Sequence, residues 1–162
     1  MENLGLSIGQ FLAFLAAGIS VIGAGWGSAK GVGLAGQTSA GVSSENPEVN
    51  SKLMVLQILP GTQGIYGFLI AVIILVNTGA LGVNLKAVTD IQGLMFIGAV
   101  LPISFVGYLS AVHQAKVASA GMLMVGQHPE MSGKAITMIV MVETYAVLAL
   151  LASFLMVNAI IL

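Results

Sequence analysis

The chain has no cysteine and very little charge. Of its 162 residues, 5 are Lys or Arg and 6 are Asp or Glu, which is 7% charge and a formal net charge of −1. A soluble domain carries about 25% charge. Without cysteine there are no disulfides, no thiolate nucleophile and no cysteine metal site, so any chemistry falls to oxygen ligands. The near-zero net charge leaves no basic surface for nucleic acid. Nor does the sequence hold a phosphate-binding loop in a soluble context, a nucleophile paired with a base, or paired carboxylates, so hydrolysis of ATP by this chain alone is not expected. What is abundant is hydrocarbon: 57% of residues are hydrophobic, with a mean hydropathy of +1.03. That composition is a membrane protein's.

A bilayer crossing needs about 20 apolar residues, and three polar gaps cut the chain into four such stretches. The gaps are Ser43 to Lys52, Asn84 to Asp90 and Gly126 to Lys134. Closed barrels need many short alternating strands, whereas these runs are long and continuous, so helices are the spanning structure that fits. The sequence predicts an all-α membrane protein of four transmembrane helices, near 9–44, 51–80, 88–127 and 131–161. The stretch Leu12 to Leu34 is not read as a secretory signal, because the chain begins Met1-Glu2-Asn3 and has no Lys or Arg before Lys30.

The first and third gaps repeat each other. Pro47, Glu48 and Lys52 recur 82 positions later as Pro129, Glu130 and Lys134. The chain therefore reads as a duplicated helical hairpin, residues 1–84 and 85–162. Ala29-Lys30 and Ala115-Lys116 pair at a displacement of 86, which reads as four extra residues, about one helical turn, in the first copy. Lys30, Lys52, Lys116 and Lys134 lie toward the matched gaps and only Lys86 toward the other side. The positive-inside rule then makes loops 43–52 and 126–134 cytoplasmic and both termini external.

One residue breaks the hydrocarbon. Glu143 lies within the run Ala135 to Leu148, which holds no other acid or base. A carboxylate at that depth costs roughly 2.5 kcal/mol or more, and such residues are retained for ions, protons or partner charges. The 82-residue displacement sets Gly61 opposite Glu143, so only one repeat has the acid. Thr62 is eleven residues from Ser51, Glu143 eleven from Ser132 and Gln114 twelve from Gly126, which puts all three about 16–18 Å from the helix ends. Gln63 adjoins Thr62, and Tyr66 follows these two at same-face spacing. Neutral oxygens and one carboxylate thus share a level. A hard monovalent cation wants such ligands, and one acid balances its charge, whereas calcium or magnesium would be left uncompensated. Pro60 lacks an N–H and disturbs the turn before it, freeing a backbone carbonyl; position alone points to Leu56.

Other features have ordinary readings. Gln57, Gln92 and Ser110 are expected to bridge helices by hydrogen bonds. Lys30 and Lys116 are expected to extend toward headgroups rather than pair with Glu143. His113 points about 100° away from Gln114 on a helix, and His128 lies in a gap, so they form no metal pair. Gly31-Val32-Gly33-Leu34-Ala35-Gly36 matches a dinucleotide fingerprint, but without the strand that gives the motif meaning. Gly23, Gly27 and Gly31, four apart, read instead as a close helix–helix contact.

Leu59-Pro60-Gly61-Thr62-Gln63-Gly64-Ile65-Tyr66-Gly67, His113-Gln114-Ala115-Lys116-Val117-Ala118 and Val142-Glu143-Thr144-Tyr145-Ala146 resemble the membrane rotor-ring subunit of bacterial V-type ATPases, the duplicated proteolipid also called K or c. The resemblance is greatest to the sodium-translocating branch. It implies a homo-oligomeric ring in the bacterial cell membrane, embedded in lipid and turning against a stator membrane subunit, with central-stalk subunits at the cytoplasmic loops. It also implies a sodium site made by Glu143, the side chains of Thr62, Gln63 and Gln114 and the backbone carbonyl of Leu59, closed by a hydrogen bond from Tyr66. Coupling to ATP hydrolysis or synthesis would belong to partner subunits. Alternatives are the same rotor moving protons, a free-standing four-helix cation transporter or channel, and a structural membrane protein using Glu143 only for helix association.

Overall fold

The computed structural model describes residues 7–82 and 85–161. The helices are α1 (Ile8–Glu45), α2 (Asn50–Ile58), α3 (Thr62–Asn77), α4 (Asp90–Gln127) and α5 (Ser132–Asn158). Short 3-10 turns at Pro47–Val49 and Pro129–Met131 precede α2 and α5, and a third at Leu59–Gly61 joins α2 to α3. Four apolar crossings result, the second comprising α2 and α3. No strand occurs among the described residues.

Sequence explains where these helices start and stop. Ser7 and Thr89 are N-caps, each in a reciprocal capping box with Gln10 and Gln92 three residues on. These caps set the third crossing to begin at Asp90 rather than 88. At the other end, Asn46 and His128 leave the helix in nearly the same conformation, φ/ψ −136/85° and −133/81°, and a proline follows each. The second crossing stops at Asn77, short of 80, where Thr78 turns its hydroxyl onto the Ile74 carbonyl and Gly79 takes φ 74°, a conformation glycine tolerates. The fourth stops at Asn158 rather than 161. Met1 to Asn3 and the division at residue 84 lie outside the described residues.

The caps also correct one expectation. Both α1 and α4 have 38 residues, and caps, helix ends and following prolines all stand 82 apart. There is no four-residue excess in the first copy. Lys30 is opposite Val112 and Lys116 opposite Leu34; the Ala-Lys match at 86 is a coincidence of composition in helices rich in alanine.

α1 and α4 run side by side along their length, and the other two crossings form a second layer, α2–α3 against α1 and α5 against α4. Hydrocarbon gives little driving force for helix association, so close packing and interhelical hydrogen bonds must supply it. A Cβ added at Gly27 would fall 2.5 Å from the Tyr108 Cα, so the α1–α4 approach depends on that glycine. Ser20 Oγ donates to the Gly67 carbonyl at 3.0 Å, and Ser104 Oγ to the Ile19 carbonyl at 3.0 Å, joining both layers to α1. The apolar interior is in two parts. One surrounds Phe96, Ile70, Ile74 and Ile103, and the other Leu53, Leu56, Met122 and Ile139. Between them lie two fully buried amides, Gln63 and Gln114.

Candidate ion-binding site

The site begins with the break in the second crossing. Pro60 cannot donate, and the chain passes Leu59–Gly61 as a 3-10 turn before α3 starts at Thr62. A new helix start in mid-membrane leaves N–H groups in need of partners. Gly64 N–H finds one on α1, donating to Ser28 Oγ at 2.7 Å. The break also turns the Leu59 carbonyl toward Thr62, whose hydroxyl lies 3.0 Å from it. Leu59 thus places its carbonyl beside Thr62 at the tightened turn. The Leu56 side chain packs in the apolar cluster with Leu53, Met122 and Ile139.

Glu143 reaches this point from α5. Its Oε1 accepts from Thr62 Oγ1 at 2.7 Å and from Tyr66 OH at 2.5 Å. Hydrogen bonds to an ionised acceptor are short and strong, and two of them hold one carboxylate oxygen. The second oxygen, Oε2, has only the Gln114 amide Nε2, at 3.4 Å. Gln114 is anchored elsewhere: its Nε2 lies 3.3 Å from the Ile139 carbonyl, and its Oε1 accepts from Gln63 Nε2 at 2.6 Å. Gln63 thus meets Gln114 rather than Glu143 directly. Its own Oε1 is buried and has no hydrogen-bond partner among the described residues. A buried amide oxygen without a donor is costly, by about 1–3 kcal/mol, and a cation would satisfy it.

All six residues expected from the sequence are brought together: Leu59, Thr62, Gln63 and Tyr66 from the second crossing, Gln114 from α4 and Glu143 from α5. Neither Lys30 nor Lys116 pairs with Glu143; both are exposed, and the close ion pair among the described residues is His128–Glu130 in the third gap, at 3.5 Å. No cluster of three His, Asp or Glu occurs among those residues. Two serines support the site. Ser110, expected only to bridge helices, donates to the Val142 carbonyl at 3.0 Å and lies 3.4 Å from Gln63 Nε2; its place four residues before Gln114 was a usable signal. Ser28 gave none, since it sits in a run of small residues that reads as packing. Gln92 caps α4 and donates to the Ile161 carbonyl, whereas Gln57 makes no hydrogen bond among the described residues.

A single acid at mid-span, held by hydroxyls and amides where two equivalent helical hairpins meet, defines a duplicated four-helix membrane proteolipid. The family model of the ATP synthase C subunit matches twice, over residues 15–74 and 97–156; 97 lies 82 beyond 15, and 156 lies 82 beyond 74. The chain belongs to that family. It is 44% identical over 149 residues to the V-type sodium ATPase subunit K of Enterococcus hirae, spanning 92% of each chain. It is 36% identical over 145 residues to the A-type ATP synthase subunit K of Methanocaldococcus jannaschii, covering 90% of this chain and 61% of that one.

Proposed function

We propose that the chain is a rotor-ring subunit of a V-type ATPase and carries sodium across the membrane as the ring turns. Partner subunits couple that rotation to ATP hydrolysis or synthesis. Copies form a closed ring against a stator membrane subunit, and central-stalk subunits meet loops 43–52 and 126–134 on the cytoplasmic side, with both termini outside. The two hairpins, divided near residue 84, are the structural repeats of each copy.

The observation that carries the sodium reading is the pattern of free oxygens. Glu143 Oε1 is saturated by two hydroxyls while Oε2 is left to a 3.4 Å amide contact, and Gln63 Oε1 is buried without a donor. With the Leu59 carbonyl, the Thr62 hydroxyl and the second lone pair of Gln114 Oε1, these atoms give an oxygen set suited to a dehydrated monovalent cation. The carboxylate's charge makes the loaded site neutral, as travel past lipid requires. A proton would satisfy Glu143 but not Gln63 Oε1. The name of the Enterococcus hirae relative, a sodium ATPase component, supports the same ion. Carbodiimide modification of Glu143 tests this: at fixed pH, rising sodium protects the acid, whereas modification that tracks pH and ignores sodium means that protons are carried instead.

A further inference from the structure

We propose that Ser110 is a positioning residue for the sodium site: with Gln114 it fixes which end of the buried Gln63 amide is offered to the ion. The inference rests on the sodium reading for the identity of that ion. The orientation itself follows from the polarity of hydrogen bonds within one copy.

An amide side chain has two ends of nearly the same shape, an oxygen that only accepts and an NH2 that only donates. Shape does not choose between them, so a buried glutamine is oriented by partners of known polarity. Here the reference points are two backbone carbonyls, Ile139 and Val142, in the turn of α5 that ends at Glu143. A carbonyl can only accept. Gln114 Nε2 lies 3.3 Å from the Ile139 carbonyl, which turns the Gln114 amide so that its Oε1 is presented to Gln63. Ser110 Oγ donates to the Val142 carbonyl at 3.0 Å; its one hydrogen is engaged there, so toward Gln63 it has only lone pairs.

Gln63 therefore meets two acceptors on α4. Its Nε2 carries two hydrogens and donates to Gln114 Oε1 at 2.6 Å and to Ser110 Oγ at 3.4 Å. Both partners lie on the nitrogen side, so Oε1 is the end left over, buried and without a hydrogen-bond partner among the described residues. The reversed amide would set one carbonyl oxygen against another and turn N–H hydrogens toward the cation. Gln114 is the shorter contact, but its Oε1 is shared with the ion. Ser110 touches no atom assigned to the ion except through Gln63, so its hold is the same whether the site is loaded or empty. Position 28, which is 82 before 110, is also serine, and it too presents its oxygen to the second crossing, accepting from Gly64 N–H at 2.7 Å. Equivalent serines of the two inner helices thus grip adjacent residues at the start of α3.

Protection of Glu143 from carbodiimide by sodium, measured on the full-length protein in membranes, tests this, with the pH dependence of labelling in sodium-free buffer as a second reading. Ser110→Ala removes the acceptor and is expected to raise the sodium concentration for half protection about tenfold, the lower end for loss of a supporting group at a metal site. The sodium-free pH profile should stay in place, because Ser110 touches neither oxygen of Glu143. Ser110→Cys separates polarity from packing and decides the matter if Ser110→Ala does not assemble. Its thiol fills nearly the same space but accepts weakly, so it should lose protection as Ser110→Ala does, whereas Ser110→Thr keeps the hydroxyl and should retain most of it. Undiminished protection in Ser110→Cys, or a loss in Ser110→Ala matched by a displaced pH profile, would mean that Ser110 only packs α4 on α5 and would overturn the inference while leaving the sodium reading intact. Labelling of the unaltered chain that ignores sodium would overturn both.

Discussion

The two hairpins have the same caps, the same turns and inner helices of the same length, but they treat the middle of their outer crossing differently. In the first, Leu59–Gly61 interrupts the helix and brings the Leu59 carbonyl, the Thr62 hydroxyl and the Gln63 amide to the site. In the second, Val142 stands at the position of Pro60, α5 runs unbroken from Ser132 to Asn158, and the polar newcomer is Glu143 where the first has Gly61. One copy supplies most of the neutral oxygens, from a disturbed backbone, and the other supplies the charge from an intact helix, together with the Gln114 amide on α4. A duplicated fold can thus divide a site between its halves, because drift in either half is tolerated once its partner provides what is lost.

The sharpest way to break this division is to remove the charge. Glu143→Gln is expected to reduce sodium uptake by reconstituted complex at least about 100-fold, since no other acid lies at that depth, while native mass measurement still finds the assembly. Adding Gly61→Glu to Glu143→Gly should not restore uptake, because a Cβ at 61 falls 3.2 Å from Val32 on α1 and so starts the side chain away from the Thr62, Tyr66 and Gln114 groups that hold Glu143. Recovery of transport would mean that the hairpins are interchangeable. Removing a neutral ligand acts next: Gln63→Leu should weaken sodium protection of Glu143 from carbodiimide by about 10–100-fold, in the range found for groups that support an ion site. The same change should leave thermal stability measured without sodium no higher, since it deletes a buried oxygen that lacks a donor but takes away the Gln63 Nε2 donor to the buried Gln114 Oε1.

Tyr66→Phe takes away one of two hydroxyls on Glu143 Oε1. A hydrogen bond to a charged group is worth about 1.5–3 kcal/mol, so sodium affinity should drop roughly tenfold or more, read from the same protection curves. The smallest effect is expected at the break. Pro60→Ala restores an N–H, and should raise the melting temperature of the sodium-free protein while lowering sodium affinity a few-fold. If affinity is unchanged, the Leu59 carbonyl takes no part.

Much of this was legible beforehand because membrane physics leaves few choices. Four long apolar runs give helices, a repeated Pro-Glu-Lys pattern gives two hairpins, and counting 1.5 Å steps from the loops put Glu143, Thr62 and Gln114 at one level. That the break closes as a 3-10 turn, which sets the Leu59 carbonyl beside the Thr62 hydroxyl, was not legible, because a proline is equally compatible with a kinked α-helix. Ser28 was hidden for a related reason: its role exists only because α3 begins anew beside it. The Ala-Lys pairing misled because composition repeats easily in alanine-rich helices, whereas the capping boxes at Ser7 and Thr89, which fix the true alignment, consist of polar residues that are individually ordinary.

Thr62 has a single hydroxyl hydrogen and two acceptors within reach, Leu59 O at 3.0 Å and Glu143 Oε1 at 2.7 Å. That hydrogen works as a toggle. With the acid in place it points across to the neighbouring hairpin; were the carboxylate to move away, a small rotation would return it to its own backbone, so that Thr62 would keep an acceptor in either case.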